Sequence, residues 1–225
     1  MPPILLIHGS CHGAWCWRDV LPFLNNAAAI DLPGHGADRT PMEAITLDLY
    51  VEAILDAITT PTHLVGHSMA GYPITAAAER APEKITALTY VCAYAPRSGL
   101  SLADMRRAGP RQPLLEAIET SADRQSFRFR PEMIADKLYH DCPPEAVAYA
   151  GRHLTPQAIK PQATPLTLTG RGAHIPKRYI QCSQDRAIPP EYQASMSAGW
   201  PDMRVLNSSH SPFFSMPQKL AEALQ

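Results

Sequence analysis

The pentapeptide Gly66-His67-Ser68-Met69-Ala70 sets a serine between small residues two positions away on either side. That spacing suits a nucleophilic serine on a strained strand-to-helix turn, where larger flanking side chains would collide as strand and helix cross. Ala70 stands where the second glycine of a G-x-S-x-G elbow is expected, one methyl larger. Given average Gly and Ser usage, such a pentapeptide arises by chance in roughly one chain in six of this length. An ordinary serine in a small-residue turn is therefore the competing reading. Serine also needs a general base, and a third group to orient that base.

Nine histidines offer the base. His210, in "NSSHSPFFS", follows the last apolar run and precedes the terminal helical pattern. Loops leaving adjacent parallel strands converge, so His210 can reach Ser68 across the intervening chain. His67 adjoins Ser68, but neighbours on such a turn point apart. His8, in "HGS", fits packing or hydrogen bonding under the first loop. His12, His35, His63, His140, His153 and His174 read as surface or structural. The acid should lie between serine and histidine and leave a strand's carboxyl end. Asp185, in "CSQDRAIPP", satisfies both conditions, although it could also be a cap or turn residue. Asp202 precedes its strand, and Asp31 suits a turn role in "DLPGHG". An oxyanion would be held by the backbone N–H of Met69 and, in "HGSCHG", that of Ser10.

These residues need a frame that sets them at successive strand ends. Apolar runs at 4–8, 27–32, 62–67, 85–93, 178–183 and 203–209 read as strands. Helical stripes fall at 15–25, 46–59, 69–81, 190–199 and 216–224, with Thr46 as an N-cap and Pro22 delaying or kinking the first. Strands alternating with helices predict an α/β fold, a six-stranded mainly parallel sheet covered on both faces. Residues 96–176 break the rhythm: helical fragments occur at 113–122, 131–139 and in "DCPPEAVAYAGRHL", with no clear strand. This predicts a mostly helical cap at 96–176, inserted between core parts 1–95 and 177–225.

Composition sets the boundaries of function. A hydrophobic fraction of 45% over 225 residues suits one globular unit. The net charge of −1, with no run of like charges, argues against nucleic acid or an anionic membrane as partner. Five scattered cysteines without a C-x-x-C pair argue for a reducing, cytoplasmic setting. "MPPILLIHGS" has neither the basic start of a signal peptide nor the length of a membrane span. A homodimer is compatible with the sequence. No cofactor or metal is implied, since spacings such as H-E-x-x-H are missing.

Together "LIHGSCHGAWCWRDVLP", "LVGHSMAG", "YIQCSQDRAIPPEYQ" and "SSHSPFFSMP" resemble the α/β-hydrolase superfamily. More narrowly they resemble the plant methylesterase and hydroxynitrile lyase group and its bacterial relatives. The resemblance covers nearly the whole chain. It implies Ser68, Asp185 and His210 as catalytic triad, Ser10 and Met69 as oxyanion donors, and a small apolar pocket reaching Gly9 and Cys11. The lyases of this group carry threonine after the strand-end histidine and lysine after the catalytic histidine. Here those places hold Gly9 and Ser211, which favours hydrolysis of a small, largely uncharged ester over cyanohydrin cleavage. A ligand-binding module without turnover is the third reading. The stretch "GRGAHIPK" departs from the group's pattern and leaves the return from the cap unspecified.

Overall fold

The structure, a computed structural model, describes residues 2–225. Four strands open the chain: β1 (Ile4–Ile7), β2 (Ala27–Ile30), β3 (Thr62–His67) and β4 (Ile85–Val91). Three short strands follow, β5 (Ile118–Thr120), β6 (Ser126–Phe129) and β7 (Gln157–Ala158), before β8 (Lys177–Cys182) and β9 (Asp202–Leu206). The main sheet runs β2-β1-β3-β4-β8-β9, every pairing parallel. This is the six-stranded parallel sheet expected.

Its inner strands β1, β3 and β4 are near-continuous apolar runs because both faces are covered there. Successive side chains alternate between the two faces. Leu5, Ile7, Leu64, Leu88 and Tyr179 enter one core with the helices α1 (Leu47–Asp56) and α2 (Gly71–Arg80). Ile4, Leu6, Val65, Val91 and Ile180 enter the other, with Trp17, Val20 and the C-terminal Leu220 and Leu224. Thr46 caps α1, its hydroxyl accepting the Leu49 N–H at 3.0 Å.

Two expectations are corrected. The stripe at 15–25 is not an α-helix but two 3-10 turns, Ala14–Trp17 and Leu21–Phe23. Trp17, Val20 and Leu24 are buried as the stripe requires. Pro22, however, donates no N–H and cannot continue an α-helical ladder. The second correction concerns 96–176, which does contain strands. β5, β6 and β7 form an antiparallel sheet beside four helices: α3 (Leu102–Ala108), α4 (Ile134–Leu138), α5 (Pro144–His153) and α6 (Ile159–Ala163). The signal was the alternation Ser126-Phe127-Arg128-Phe129, with both phenylalanines buried and Arg128 exposed. The expected helix at 113–122 is a 3-10 turn leading into β5.

Both ends of this segment are tied together, Gly99 and Leu166 donating and Leu166 and Leu100 accepting at 2.9 and 3.2 Å. The return through Gly170–Gly172 is anchored on the last turn of α2. There the Glu79 carboxylate accepts the N–H groups of Thr169, Gly170 and Gly172. The chain closes with α7 (Pro190–Met196), α8 (Pro212–Ser215) and α9 (Pro217–Leu224). Among the described residues no helix is long and apolar enough to cross a membrane.

Candidate active site

β3 delivers Ser68 onto a turn with φ +56°, followed by a short 3-10 turn and then α2. A serine in that region is strained, at about 1–3 kcal/mol, and persists only where surrounding contacts hold it. The contacts are visible. A Cβ on Gly66 would lie 2.9 Å from the Ala70 carbonyl oxygen and from Ile74 Cδ1. On Gly71 it would lie 2.0 Å from the carbonyl oxygen of Tyr94, whose N–H in turn donates to the Ser68 carbonyl at 3.0 Å. Ala70 is fully buried and fits. The second position that admits no side chain is thus 71, and the methyl of Ala70 is accommodated.

His210 follows β9 and turns back toward this elbow. Ser68 Oγ lies 3.0 Å from His210 Nε2, and His210 Nδ1 lies 2.7 Å from Asp185 Oδ2. Since a carboxylate only accepts, Nδ1 carries the proton and Nε2 is left to accept from the serine hydroxyl. Asp185 is sealed from water, yet its oxygens are fully engaged. Oδ1 accepts the N–H groups of Ala187 and Ile188 at 2.7 and 2.9 Å; Oδ2 accepts His210 and, at 2.8 Å, Gln193 Nε2. A buried carboxylate with four donors is compensated for its lost hydration.

Sequence reasoning missed three groups that hold this chain in place. Gln193 on α7 joins Asp185 to the Cys182 N–H, which its Oε1 accepts at 3.0 Å. Its spacing of eight residues beyond Asp185, just after Pro189-Pro190, was the available signal. His67 lines the same cavity as Ser68, and its Nε2–H donates to the backbone carbonyl of His210 at 2.8 Å. Asp141, from the inserted segment, accepts the Ser209 N–H at 2.8 Å and pins the residue before His210.

The loop after β1 closes the other side. A Cβ on Gly9 would approach Ser68 Cβ to 2.9 Å and His67 Nδ1 to 2.7 Å, so the loop backbone lies directly against the elbow. Ser10 and Met69 line a cavity together with Ser68 and His210. Its remaining wall comes largely from the inserted segment, including Leu102, Arg106, Phe127, Phe129 and Gln162. Gln162 donates to the Ser10 hydroxyl at 2.8 Å. Free volume within is ≈ 30 Å³, enough for about two waters. Expected to border the pocket, Cys11 does not: it is fully buried, with its thiol 3.9 Å from the Phe127 carbonyl. Gly9 backs the elbow and is not part of the wall. Asp31 braces two turns, accepting the N–H groups of Ala14 and Ala37.

Around the site several histidines are buried and neutral. Burial, more than any other cause, pushes both His8 and His12 from 6.5 down to about 3. His12 donates from Nδ1 to the Ser10 carbonyl and accepts the Tyr139 hydroxyl at Nε2, at 2.8 and 2.7 Å. Below pH 6.5 the unfolded chain takes up protons that the folded one refuses. The stability these groups hold above 6.5 is therefore lost as pH falls toward 3, at about 1.4 kcal/mol per pH unit for each. His8 and His12 alone should lower the unfolding free energy by about 4 kcal/mol between pH 7 and pH 5, as read by denaturant titration at each pH. His35, His63 and His67, lowered by burial in the same direction, add to that drop. A flat profile over that window would disprove the assignment of neutral, buried imidazoles.

Ligand atoms of His67, Cys92 and His210 lie within 4.8 Å of one another. They do not fit a metal centre, because both ring nitrogens of His210 are already engaged and His67 Nε2 holds the His210 carbonyl.

The frame and the site can be set beside known proteins. A model described as the alpha/beta hydrolase family matches residues 4–223. Methyl jasmonate esterase 1 of Vitis vinifera is 30% identical, over 98% of this chain and 94% of its own. A pyrethroid hydrolase of Sphingobium wenxiniae is 28% identical, over 98% and 85%. The crystal structure of a pyrethroid hydrolase from Sphingobium faniae superposes with a TM-score of 0.88 at 27% identity, covering 99% of this chain and 95% of that one. Correspondence that runs from the first strand to the last helix assigns the architecture as a whole: this chain belongs to the alpha/beta hydrolase family, as an enzyme of its methylesterase-like group.

Proposed function

We propose that the chain is a serine carboxylic ester hydrolase that cleaves small esters through an acyl-enzyme, with Ser68, His210 and Asp185 as its catalytic residues. The observation that carries this reading is the relay of 3.0 and 2.7 Å contacts, aligned so that each proton has one place to go. Ser68 Oγ bonds to the ester carbonyl carbon while its proton passes to His210 Nε2. Asp185 holds the imidazole tautomer and offsets the imidazolium charge. The backbone N–H groups of Ser10 and Met69 take the negative oxygen. Collapse breaks the bond to the alcohol oxygen, which leaves with the proton from His210. Water then attacks the acyl-enzyme by the same route in reverse order, releasing acid and Ser68.

The segment 96–176 serves in this reading as the cap over the site. With so little free volume beneath it, its side chains must shift to admit a substrate. Gly9 supports hydrolysis over cyanohydrin cleavage, since the threonine of the lyases would collide with His67 and Ser68. Ser211 is buried and uncharged where the lyases hold lysine. Five cysteines, all unpaired, support a reducing, cytoplasmic setting, and the net charge of −1 supports a reading without nucleic acid as partner. Met203 and Val205, exposed on the edge strand β9, would be the apolar face of a homodimer.

A fluorophosphonate should label Ser68 at one equivalent per chain, and p-nitrophenyl esters of short acids should turn over many times. Labelling without turnover would replace this reading with that of a binding module; cyanide release from cyanohydrins faster than any ester cleavage would replace it with a lyase.

A further inference from the structure

The cavity above Ser68 is apolar on most of its wall, with one cation. Arg106 lies one helical turn after Leu102 on α3, and both side chains line the cavity. Arg178, the other half-buried arginine, pairs with Asp202 at 2.7 Å. On α3 itself Asp104 is taken by Arg107 and Ser101. Arg106 makes no side-chain hydrogen bond or ion pair among the described residues, and its Nε–H is sealed from water with no partner. A guanidinium cannot shed its charge, and a buried donor left unpaired is destabilising.

The position of Arg106 is not left to chance. Ser101 and Asp104 form a reciprocal cap at the start of α3. Tyr192 donates to the Met105 carbonyl at 2.7 Å, and Tyr72 donates to the Leu100 carbonyl at 3.1 Å. The helix is thus clamped from below by the core, and Arg106 is held in the cavity wall.

From this cavity, with a nucleophilic serine in one wall and an unpaired guanidinium in another, we infer that the substrate is an ester carrying a free carboxylate, such as the monoester of a dicarboxylic acid. The ester carbonyl meets Ser68 and the carboxylate binds the terminal N–H groups of Arg106. The apolar wall takes the chain between them. This narrows the expectation of a largely uncharged substrate to an apolar body with one anionic end, and it rests on the ester-hydrolase reading above.

Monomethyl esters of the C4 to C10 dicarboxylic acids are the probes, each compared with its dimethyl ester and with the methyl alkanoate of equal length. At the best chain length the wild-type protein should favour the monoester by about 10- to 100-fold in kcat/KM, the range of a charge-assisted bond. That preference should shrink as salt is added. Arg106→Gln should abolish it, and Arg106→Lys, which keeps the charge without the fork, should restore part of it. In Ser68→Ala protein, calorimetry should show the same monoesters binding in an Arg106-dependent way. Turnover with no preference for monoesters, or a preference that survives Arg106→Gln, would overturn the carboxylate site. Arg106-dependent binding without turnover by the wild type would instead overturn the hydrolase reading and leave the site standing.

Discussion

Ser68→Ala should lower kcat/KM, for any ester the wild-type protein cleaves, by about ten-thousand- to a million-fold while the fold survives. On the proposed mechanism, removing Oγ deletes the atom that accepts the acyl group, 3.0 Å from His210 Nε2. It leaves the proposed oxyanion donors and the cavity in place, so cleavage should still exceed that in water. Folding should be retained because the positive φ of residue 68 is imposed by Gly66, Gly71 and the Tyr94 peptide, not by the hydroxyl. Adding Asp185→Asn should then cost little more, since nucleophile, base and orienting acid act as one unit. Kinetics with a p-nitrophenyl ester, alongside a thermal melt, make the measurement. A folded Ser68→Ala protein within tenfold of wild type would refute the acyl-enzyme mechanism.

Gly71→Ala should do through packing what Ser68→Ala does through chemistry. The new Cβ would sit 2.0 Å from the Tyr94 carbonyl oxygen, a backbone atom with no rotamer to escape into. Either α2 or the Tyr94 peptide must move. The Tyr94 N–H holds the Ser68 carbonyl, and the Tyr94 side chain lines the cavity. Overpacking of this kind destabilises by about 1–3 kcal/mol, which lowers Tm by roughly 2–12 °C in a chain of this size. Activity should fall at least a hundredfold, because displacements near 1 Å at a nucleophile are that damaging. Ala70→Gly, one position earlier, should stay within about 1 kcal/mol of wild type. Equal stability and activity for Gly71→Ala and Ala70→Gly would show that the elbow does not depend on this contact.

The contrast between these two positions marks how far residue order reaches. Ser68, Asp185 and His210 were legible because each follows a buried apolar run, and a parallel sheet brings such strand ends to one edge. Thr46 was legible for a similar reason, since an N-cap acts on the turn beside it. Ala70 looked like the flaw in the motif because a pentapeptide pattern cannot see Tyr94, which is remote in sequence and adjacent in space. The stripe at 15–25 misled for a local reason: periodicity reports the buried face, while Pro22 decides the hydrogen bonding. β5, β6 and β7 were overlooked because strands of two to four residues give at most one short alternation, that of Ser126–Phe129, which no neighbouring pattern reinforces.

Hydrophobic periodicity and the turn residues settle which segments are strands, that they run parallel, and the edge where chemistry can occur, because they act over a few residues and repeat along the chain. Gln193 on Asp185, His67 on the His210 carbonyl and Asp141 on Ser209 arise from distances between separate elements, which no local pattern encodes. Arg106 is the sharpest case. In the sequence it is one of many surface-type charges; in the folded protein it is the one arginine lining the cavity beside Ser68, and Asp104 on the same helix is already taken by Arg107 and Ser101.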